Sequence, residues 1–446
     1  MGNFFGTDGV RGRVNLTLTA ELAMNIGMAA AQVLACGKGQ RPLIVIGRDT
    51  RISGDMLEAA LAAGITAVGA DAVLLGVIPT PGVAALMRQM NAAAGVVISA
   101  SHNPYYDNGI KIFSEGGRKL PDELEAQIES RLAGIEHIER AMDGHIGKIR
   151  YYVGASELYM KLLLETQAVD ARGLKIVVDC ANGAISPIAA PLFSALGAEV
   201  VTIADRPDGL NINDHCGSTH IEPLCQRVLA EHADLGLAFD GDADRLLAVD
   251  HQGEQVDGDQ LLAIFAAYLQ AEGALRNNVA VGTLMSNLGL KLALQELGVA
   301  FAQTQVGDRY VLEKMGELDA VLGGEQSGHI ILAEYNSTGD GAAAALLLLK
   351  VMASSGKSLH ELRQVMRRYP QVIQNVHCGD KHGWQRHQPI VSAVAAAEAE
   401  LSGSGRVLMR PSGTEPLIRV MAEGEDERQL QRLVQSIAEA IKDCSL

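Results

Sequence analysis

The 446-residue sequence is poor in aromatic side chains, at 4%, and in charged side chains, at 20%. Basic residues are outnumbered, with 37 lysines and arginines against 53 aspartates and glutamates, which gives a net charge of −16. This acidic balance argues against nucleic acid or an anionic membrane as the main partner. It leaves open a small anionic ligand, provided that arginines are gathered locally. The 48% hydrophobic content predicts a large buried core.

The sequence also lacks paired cysteine spacings and targeting signals. No CxxC or Cys/His spacing typical of zinc is present, which predicts free thiols in a reducing compartment. The six cysteines are Cys36, Cys180, Cys216, Cys225, Cys378 and Cys444. The start MGNFFGTDGVRG has no signal-peptide pattern, and Gly6 breaks the myristoylation pattern. The longest apolar run, 342–349, is too short to span a bilayer, so we expect a cytoplasmic protein with no membrane partner.

Several nucleotide and hydrolase motifs are missing as well. The only GKS, at 356–358, has Val351 where a P-loop needs its first glycine. No GxGxxG follows a predicted strand, no GxSxG is present, and HELRQ at 360–364 differs from HExxH. These absences leave nucleoside triphosphate, NAD, α/β-hydrolase and zinc-protease functions without support.

A repeated pattern of strand, polar loop, helix, glycine and strand occurs at 42–75, 174–203 and 278–304. This pattern is typical of a βαβ unit and predicts three tandem α/β domains with mixed, mainly parallel sheets. After Pro370 the pattern changes to a strand-like QVIQNVHC, an alanine-rich helix, the run RVLMRPSGTEPLIRVMAEG and a final helix, which predicts a smaller α+β domain. We interpret Trp384 as a packing residue of that domain. The predicted domains are 1–153, 154–254, 255–366 and 370–446.

The stretch AGVVISASHNPYYDNGIKIF at 94–113 places a hydroxyl after a buried strand. Ligands of open α/β sheets bind past the carboxyl ends of the strands, so Ser101 is a candidate nucleophile. His102 and Lys111 are candidates to assist it. The pair Asn108-Gly109 predicts a tight turn that folds Lys111 back toward the serine. A polar loop without chemistry remains the alternative for this stretch alone.

The segment DGDADR carries Asp240, Asp242 and Asp244 between two apolar strands. Three carboxylates at alternate positions across a turn can converge on one hard cation. An EF-hand is excluded because Arg245 and His251 stand where it requires Gly and Glu. The pattern therefore predicts a Mg²⁺ site, whereas a merely solvated acidic turn would be costly between core strands.

Two further loops suit a sugar and a phosphate. In GGEQSGH, Glu325, Ser327 and His329 alternate, and in an extended backbone they would share one face toward sugar hydroxyls. A satisfied polar turn is the alternative there. In RPSGTEPLIR, backbone N–H groups, hydroxyls and two arginines can hold an anion. Its candidate residues are Arg410, Ser412, Gly413, Thr414 and Arg419. A further cation, Arg11, lies in a glycine-rich segment that permits close backbone approach. Together the loops indicate phosphoryl transfer on a phosphorylated polyol.

The loops SASHNP, DGDADR, GGEQSGH and RPSGTEP resemble, in this order, those of the α-D-phosphohexomutase family, and the likeness covers almost the whole chain. The resemblance implies four domains around a central cleft. It implies a phosphoserine at Ser101 and one Mg²⁺ per subunit between that phosphate and Asp240, Asp242 and Asp244. The segments FGTDGVRG and VGTLMSN are similar to the branch that acts on glucosamine phosphates.

This branch implies interconversion of glucosamine 6-phosphate and glucosamine 1-phosphate through a bisphosphate, with a trace of bisphosphate as activator, by a monomer or homodimer. Glu325, Ser327 and His329 would read the sugar, and the RPSGTEPLIR residues would hold the phosphate that is not reacting. Proton transfer and charge stabilisation would fall to Lys111, His102 and Arg11. Arg245 would support the metal loop or the phosphoryl group.

The resemblance has one departure, Ala243, where many members have glycine; a positive φ there would strain it. Phosphomannomutases and phosphoglucomutases share the same chemical parts, so their substrates remain open. Two further functions compete with the mutase: a Mg²⁺-dependent sugar phosphatase and a sugar-phosphate sensor without turnover.

Overall fold

The computed structural model describes residues 4–6, 9–35, 41–167, 169–381, 383–411 and 416–444. The chain divides into two units. The first comprises Met1–Met285 with Val299–Val365, and the second comprises Ser286–Gly298 with Met366–Leu446. The first unit holds three sheets and the second holds one. The predicted α/β repeats and the smaller C-terminal α+β part are confirmed.

The first sheet has seven strands in the order β1-β5-β4-β2-β3-β7, with β6 beside β5. Strands β2, β3, β4 and β7 pair in parallel, whereas β1, β5 and β6 are antiparallel to their neighbours. The elements are β1 (Val10–Arg13), α1 (Ala20–Ala35), β2 (Leu43–Arg48), α2 (Gly54–Ala67), β3 (Asp71–Val77), α3 (Thr80–Met90), β4 (Ala94–Ile98), β5 (Asp107–Ser114), β6 (Arg118–Lys119), α4 (Asp122–Ala133) and β7 (Ile149–Tyr151). Strand β4 is buried throughout, as its apolar residues predict.

The predicted turn at Asn108-Gly109 is wrong, because both residues lie inside β5. The chain reverses earlier, at 101–106. Glycine is required at 109 because the backbone of Ser99 approaches it closely. A Cβ there would lie 2.5 Å from the Ser99 carbonyl oxygen. The Asn108 side-chain amide donates to Ser53 Oγ, directly before α2, at 2.9 Å. Lys111 still comes next to the serine loop, because it pairs with Val97 of β4.

The second sheet has the order β12-β11-β10-β8-β9, and the third β14-β13-β15-β16. Both contain the parallel pair predicted from the repeat, β8 with β9 and β13 with β14. The elements of the second are α5 (Ala155–Thr166), β8 (Lys175–Asp179), α6 (Ala189–Ala195), β9 (Glu199–Ile203), α7 (Glu222–Glu231), β10 (Leu235–Phe239), β11 (Leu246–Asp250) and β12 (Gln255–Val256). Those that follow are α8 (Gly258–Ala271), β13 (Val279–Thr283), α9 (Leu288–Glu296), β14 (Ala300–Thr304), α10 (Asp308–Leu318), β15 (Leu322–Gly324), β16 (Ile330–Leu332), α11 (Gly341–Ser355) and α12 (Leu359–Leu362).

The C-terminal sheet is antiparallel in the order β17-β19-β18. Its elements are β17 (Gln371–His377), α13 (Gln388–Glu400), β18 (Gly405–Pro411), β19 (Leu417–Gly424) and α14 (Glu427–Asp443). Trp384 packs against the apolar core of this part, as predicted. The five cysteines within the described residues are free thiols, whereas Cys36 lies outside them. In the described part of the chain no single helix is long and apolar enough to cross a membrane; α11 and residues 359–365 pass only together, as a pair bent by 94°.

Candidate active site

Ser101 lies directly after β4 and is 1% exposed. Its φ is 51°, in the left-handed region that non-glycine residues rarely adopt. The backbone is held there from both sides. Its N–H donates to Ser99 Oγ at 2.9 Å, and its carbonyl oxygen accepts from Arg51 Nη2 and Asn213 Nδ2, each at 2.9 Å. A strained residue fixed by several partners is typical of a functional position.

The Ser101 hydroxyl contacts a carboxylate and an imidazole. Ser101 Oγ donates to Asp240 Oδ2 at 2.6 Å and lies 3.2 Å from His102 Nδ1. Burial, followed by the positive charges of Arg245 and Arg11, lowers the pKa of His102 to about 4. The imidazole is therefore neutral at pH 7 and adds no positive charge beside the hydroxyl.

Asp240, Asp242 and Asp244 follow β10 in one turn, and all three are buried. One oxygen from each lies within 4.8 Å of the other two. Burial, together with the charges of Asp244 and Asp242, raises the pKa of Asp240 well above its usual range. Asp244 Oδ1 is buried and has no hydrogen-bond partner among the described residues. Converging carboxylate oxygens with one buried oxygen unused fit a hard cation such as Mg²⁺.

Ala243, between two of these aspartates, has a φ of 57° and is fully buried. The strain that was expected for a positive φ is therefore present. Its N–H donates to the Asp240 carbonyl oxygen at 3.1 Å, and its own carbonyl oxygen accepts from the Gly341 N–H at 3.1 Å. These bonds hold the turn, at a conformational cost on the order of 1 kcal/mol that glycine would not incur.

Lys111 and Arg245 place cations beside the aspartates, and Arg11 adds a third near the serine loop. Lys111 Nζ lies 2.8 Å from Asp242 Oδ2 and 3.4 Å from Asp244 Oδ2, and the lysine is 5% exposed. The Arg245 backbone N–H donates to Asp240 Oδ1 at 3.2 Å, and the Arg245 guanidinium Nε lies 3.9 Å from Asp244 Oδ1. Arg11 is on β1 opposite Gly109. Its guanidinium helps to lower the pKa of His102, so its charge reaches the serine loop. The predicted residues Ser101, His102, Lys111 and the three aspartates are thus brought together.

Sequence reasoning missed Thr80, the first residue of α3. Thr80 Oγ1 donates to Asp242 Oδ2 at 2.5 Å, and the Thr80 N–H donates to the Asp242 carbonyl oxygen at 3.0 Å. The side chain is 1% exposed. Thr80 and Lys111 both contact Oδ2 of Asp242, so together they fix the orientation of this carboxylate. The Thr-Pro pair marks a helix start, but nothing local in the sequence links it to residue 242.

Replacing Thr80 by valine should weaken metal binding, because a donor that orients a carboxylate ligand supports affinity for the ion by about 10- to 100-fold. Thr80→Ser should restore most of it, since the hydroxyl is kept. Mn²⁺ titration followed by electron paramagnetic resonance measures the dissociation constant directly. Equal Mn²⁺ affinity in the wild type and Thr80→Val would contradict this role for Thr80.

The sugar loop departs from the predicted extended backbone. It forms a turn, because the Gly328 N–H donates to the Glu325 carbonyl oxygen and the Glu325 N–H to the His329 carbonyl oxygen, each at 3.0 Å. Gly328 has a φ of 91°, which permits that turn. The extended alternation of residues 325, 327 and 329 on one face is therefore wrong. Ser327 Oγ stays near Glu325, 3.4 Å from Oε2, but His329 is buried with Nε2 3.9 Å from Asp244 Oδ2.

The predicted phosphate loop lies in the second unit. Arg410 of β18 stands directly opposite Arg419 of β19. The pair places two cationic side chains side by side on neighbouring strands, which suits an anion-binding role. Ser412, Gly413 and Thr414 lie outside the described residues.

Four domain models match the chain. They describe phosphoglucomutase/phosphomannomutase alpha/beta/alpha domain I at residues 2–139, domain II at 157–253, domain III at 257–369 and the C-terminal domain at 374–440. The chain therefore belongs to the phosphoglucomutase/phosphomannomutase family. Among its relatives, the phosphoglucosamine mutase of Desulforamulus reducens is 54% identical and that of Brevibacillus brevis 51%, with 99% of each chain covered in both cases.

Solved structures share the fold. A phosphoglucomutase/phosphomannomutase family protein from Burkholderia thailandensis superposes with a TM-score of 0.80 at 25% identity, covering 98% of this chain and 97% of that one. The N-acetylphosphoglucosamine mutase of Aspergillus fumigatus, solved with GlcNAc-6P and magnesium, gives 0.70 at 16% identity, covering 100% and 96%. At that identity the second likeness supports the fold alone.

Proposed function

We propose that this protein interconverts glucosamine 6-phosphate and glucosamine 1-phosphate, with Ser101 carrying the phosphoryl group between turnovers. The observation that carries the proposal is the Ser101 hydroxyl, which contacts Asp240 at 2.6 Å within a buried aspartate triad. The relatives named phosphoglucosamine mutase, more than 50% identical over nearly the full chain, support the substrate.

In the first half of the reaction, a free hydroxyl of the sugar phosphate attacks the phosphorus on Ser101. The bond between phosphorus and Ser101 Oγ breaks, and the proton of the attacking hydroxyl is transferred to Ser101 Oγ as the sugar bisphosphate forms. In the second half, Ser101 Oγ attacks the other phosphoryl group of the bisphosphate. The Ser101 proton, which the hydroxyl donates to Asp240 Oδ2 at 2.6 Å, is transferred to the sugar oxygen that is released.

Charge near the transferring group is controlled by the site's own residues. Lys111 places a buried positive charge on Asp242 and Asp244, and Arg245 adds a second beside the triad. Asp240, Asp242 and Asp244 would hold Mg²⁺, which when bound neutralises charge on a phosphoryl group. Preorganised cations that stabilise developing charge contribute much of the rate enhancement in phosphoryl transfer.

Substrate orientation falls to two groups of residues. Glu325 and Ser327 would bind sugar hydroxyls, and Arg410 and Arg419 would bind phosphate. His329, buried against Asp244, would support the metal loop instead of contacting sugar. A trace of bisphosphate would activate the enzyme by phosphorylating any Ser101 that has lost its phosphoryl group.

Replacing Arg410 by alanine should raise KM about 10- to 100-fold, because a hydrogen-bonded cation on phosphate contributes about 1.5–3 kcal/mol. Release of bisphosphate into solution should rise as well. Steady-state kinetics with phosphorus NMR measures both effects. Arg428→Ala, which removes an exposed arginine from the same part of the chain, is the control and should leave KM unchanged. An unchanged KM in Arg410→Ala would contradict the phosphate-binding role.

Phosphorus NMR of the Ser101-phosphorylated protein tests the overall function. The sample contains Mg²⁺, glucosamine 6-phosphate and a trace of hexose bisphosphate. Glucosamine 1-phosphate should appear faster than the corresponding products from glucose or mannose 6-phosphate. Release of inorganic phosphate instead would indicate a phosphatase. A faster reaction with glucose or mannose 6-phosphate would indicate a phosphoglucomutase or phosphomannomutase.

A further inference from the structure

The Ser101 carbonyl oxygen is contacted by three separate segments of the chain. Arg51 Nη2, which follows β2 of the first sheet, and Asn213 Nδ2, which follows β9 of the second, each donate to it at 2.9 Å. Gly241 of the aspartate turn also approaches it closely, because a Cβ there would lie 2.5 Å from the same oxygen. Ser101 is therefore fixed through its main chain as well as through its hydroxyl.

The buried Asn213 side chain uses both hydrogens of its amide nitrogen on the serine loop, residues 99–106. Besides the Ser101 contact, Nδ2 donates to the Asn103 carbonyl oxygen at 3.1 Å. Carbonyl oxygens only accept hydrogen bonds, so the nitrogen of the amide and not its oxygen must face them. Asn213 thus bridges residues 101 and 103 from the side of the second sheet.

The Asn213 donor is itself held in place. Asn213 lies in the loop between β9 and α7 with a φ of 58°, and its N–H donates to the Ala181 carbonyl oxygen at 2.9 Å. Asp179, fully buried at the end of β8, accepts from the Ala181 N–H at 2.9 Å and from the Gly217 N–H at 2.8 Å. These bonds fix the loop to the end of its own sheet, so the amide is preorganised for the serine loop.

The residues on either side of Arg51 bind the second part of the chain as well. Thr50 Oγ1 donates to the Asn182 carbonyl oxygen at 2.5 Å, and the Ile52 N–H donates to the Gly209 carbonyl oxygen at 3.0 Å. The two donors to the Ser101 carbonyl oxygen, Arg51 and Asn213, are therefore held relative to each other.

We propose that Asn213 is a positioning residue for phosphoryl transfer, which keeps the strained Ser101 backbone in place so that Oγ stays aligned with the transferring phosphorus. This proposal rests on the proposed function. A left-handed φ is unfavourable for serine, so loss of a donor to the Ser101 carbonyl oxygen lets the backbone relax. That relaxation turns the Cα–Cβ bond and displaces Oγ from Asp240. A misplacement of about 1 Å can cost about 100-fold in the rate of the chemical step.

Asn213→Gly tests the proposal, because glycine suits a φ of 58° and the substitution removes only the side chain. We expect kcat to fall about 10- to 100-fold while KM stays within about twofold, because the sugar and phosphate loops are unchanged. Asn213→Asp keeps the size but presents only acceptors to two carbonyl oxygens, so kcat should fall at least as far. Asn91→Gly is the matched control, since it replaces an asparagine with a φ of 51° at the end of α3, and it should leave kcat unchanged.

Phosphorus NMR of phosphorylated Ser101 gives a second readout that a merely structural role would not change. The phosphoserine resonance should shift or broaden in Asn213→Gly and stay as in the wild type in Asn91→Gly. If the amide only stabilises the fold, urea unfolding will show a less stable variant whose resonance and kcat per folded molecule match those of the wild type. That result would overturn the proposal, and if Asn213→Asp does not fold, Asn213→Gly decides.

Phosphorylation of Ser101 by hexose bisphosphate, followed by mass spectrometry, separates this proposal from the proposed function. This half of the reaction needs no amino sugar, and both Asn213 variants should perform it more slowly than the wild type. A normal rate in both variants would overturn only the role of Asn213. A wild type that is phosphorylated but does not convert glucosamine 6-phosphate would overturn the substrate assignment and leave that role standing. A wild type that bisphosphate does not phosphorylate would overturn both.

Discussion

Ser101→Ala is expected to lower kcat on the order of 10⁵-fold, because it removes the atom that carries the phosphoryl group. Ser101 Oγ is the only atom lost, and its hydrogen bond to Asp240 Oδ2 is lost with it. The backbone strain at this position stays, since Ala cannot relieve a φ of 51°. Sugar phosphate binding should therefore persist while turnover is lost.

The measurement combines phosphorus NMR for turnover with calorimetry for binding. Mass spectrometry should find one phosphoryl group on the wild type and none at this site in the variant. Ser114→Ala, at the far end of β5, is the control. Ser114 Oγ donates to the Arg118 carbonyl oxygen at 3.1 Å, away from the triad, so its loss should leave turnover intact. Normal turnover by Ser101→Ala would refute the phosphoserine mechanism outright.

The repeats of the fold were predictable because each is encoded locally. A βαβ unit such as β2-α2-β3 shows its apolar strand, its helix and its closing glycine within about 35 residues of sequence. Strand β5 was harder to predict from the sequence, because the pair Asn108-Gly109 is typical of a hairpin turn. The sheet instead uses Gly109 to admit the Ser99 carbonyl oxygen, a requirement set by a neighbouring strand and invisible in the local pattern.

In the candidate site, too, the features encoded locally were the predictable ones. The three aspartates could be predicted because they stand in one six-residue segment, where their charges need a cation. Thr80 was not, because it lies 162 residues from Asp242, and only the packing of α3 against the turn brings them together. Asp49 and Arg51 were missed for the same reason. They form a buried ion pair that holds Ser99 and the Ser101 carbonyl oxygen, although nothing near them in sequence suggests a catalytic loop.

The charge of the aspartate triad is balanced differently without and with a bound metal ion. Three buried carboxylates face the side chains of Lys111 and Arg245, so the triad retains a negative charge for a divalent ion. Because the Lys111 contacts are made to Oδ2 of Asp242 and Asp244, the lysine partly neutralises the carboxylates without a metal. It would then have two roles, stabilising the folded chain before metal binding and stabilising charge on the phosphoryl group afterwards.

Lys111→Met should separate these roles. Removing one partner of a buried ion pair leaves uncompensated charge, which costs about 3–5 kcal/mol of the free energy of unfolding. Here the variant leaves the triad one charge more negative, so Mg²⁺ should bind more tightly and stabilise the variant more than the wild type. A ligand at 100 times its dissociation constant adds about 2.7 kcal/mol, enough to recover most of the loss. Turnover should stay low even with Mg²⁺, because the lysine charge near the phosphoryl group is missing.

Urea unfolding with and without Mg²⁺ measures this effect, and steady-state kinetics at saturating Mg²⁺ measures the catalytic one. Lys119→Met is the matched control for stability, because it removes a lysine from the adjacent strand whose pair with Asp308 is more exposed and should cost about 1 kcal/mol or less. A purely structural Lys111 would regain turnover when Mg²⁺ restores stability. Tighter metal binding together with persistently low turnover therefore places the lysine in the phosphoryl-transfer step, whereas full recovery would limit it to holding the aspartates.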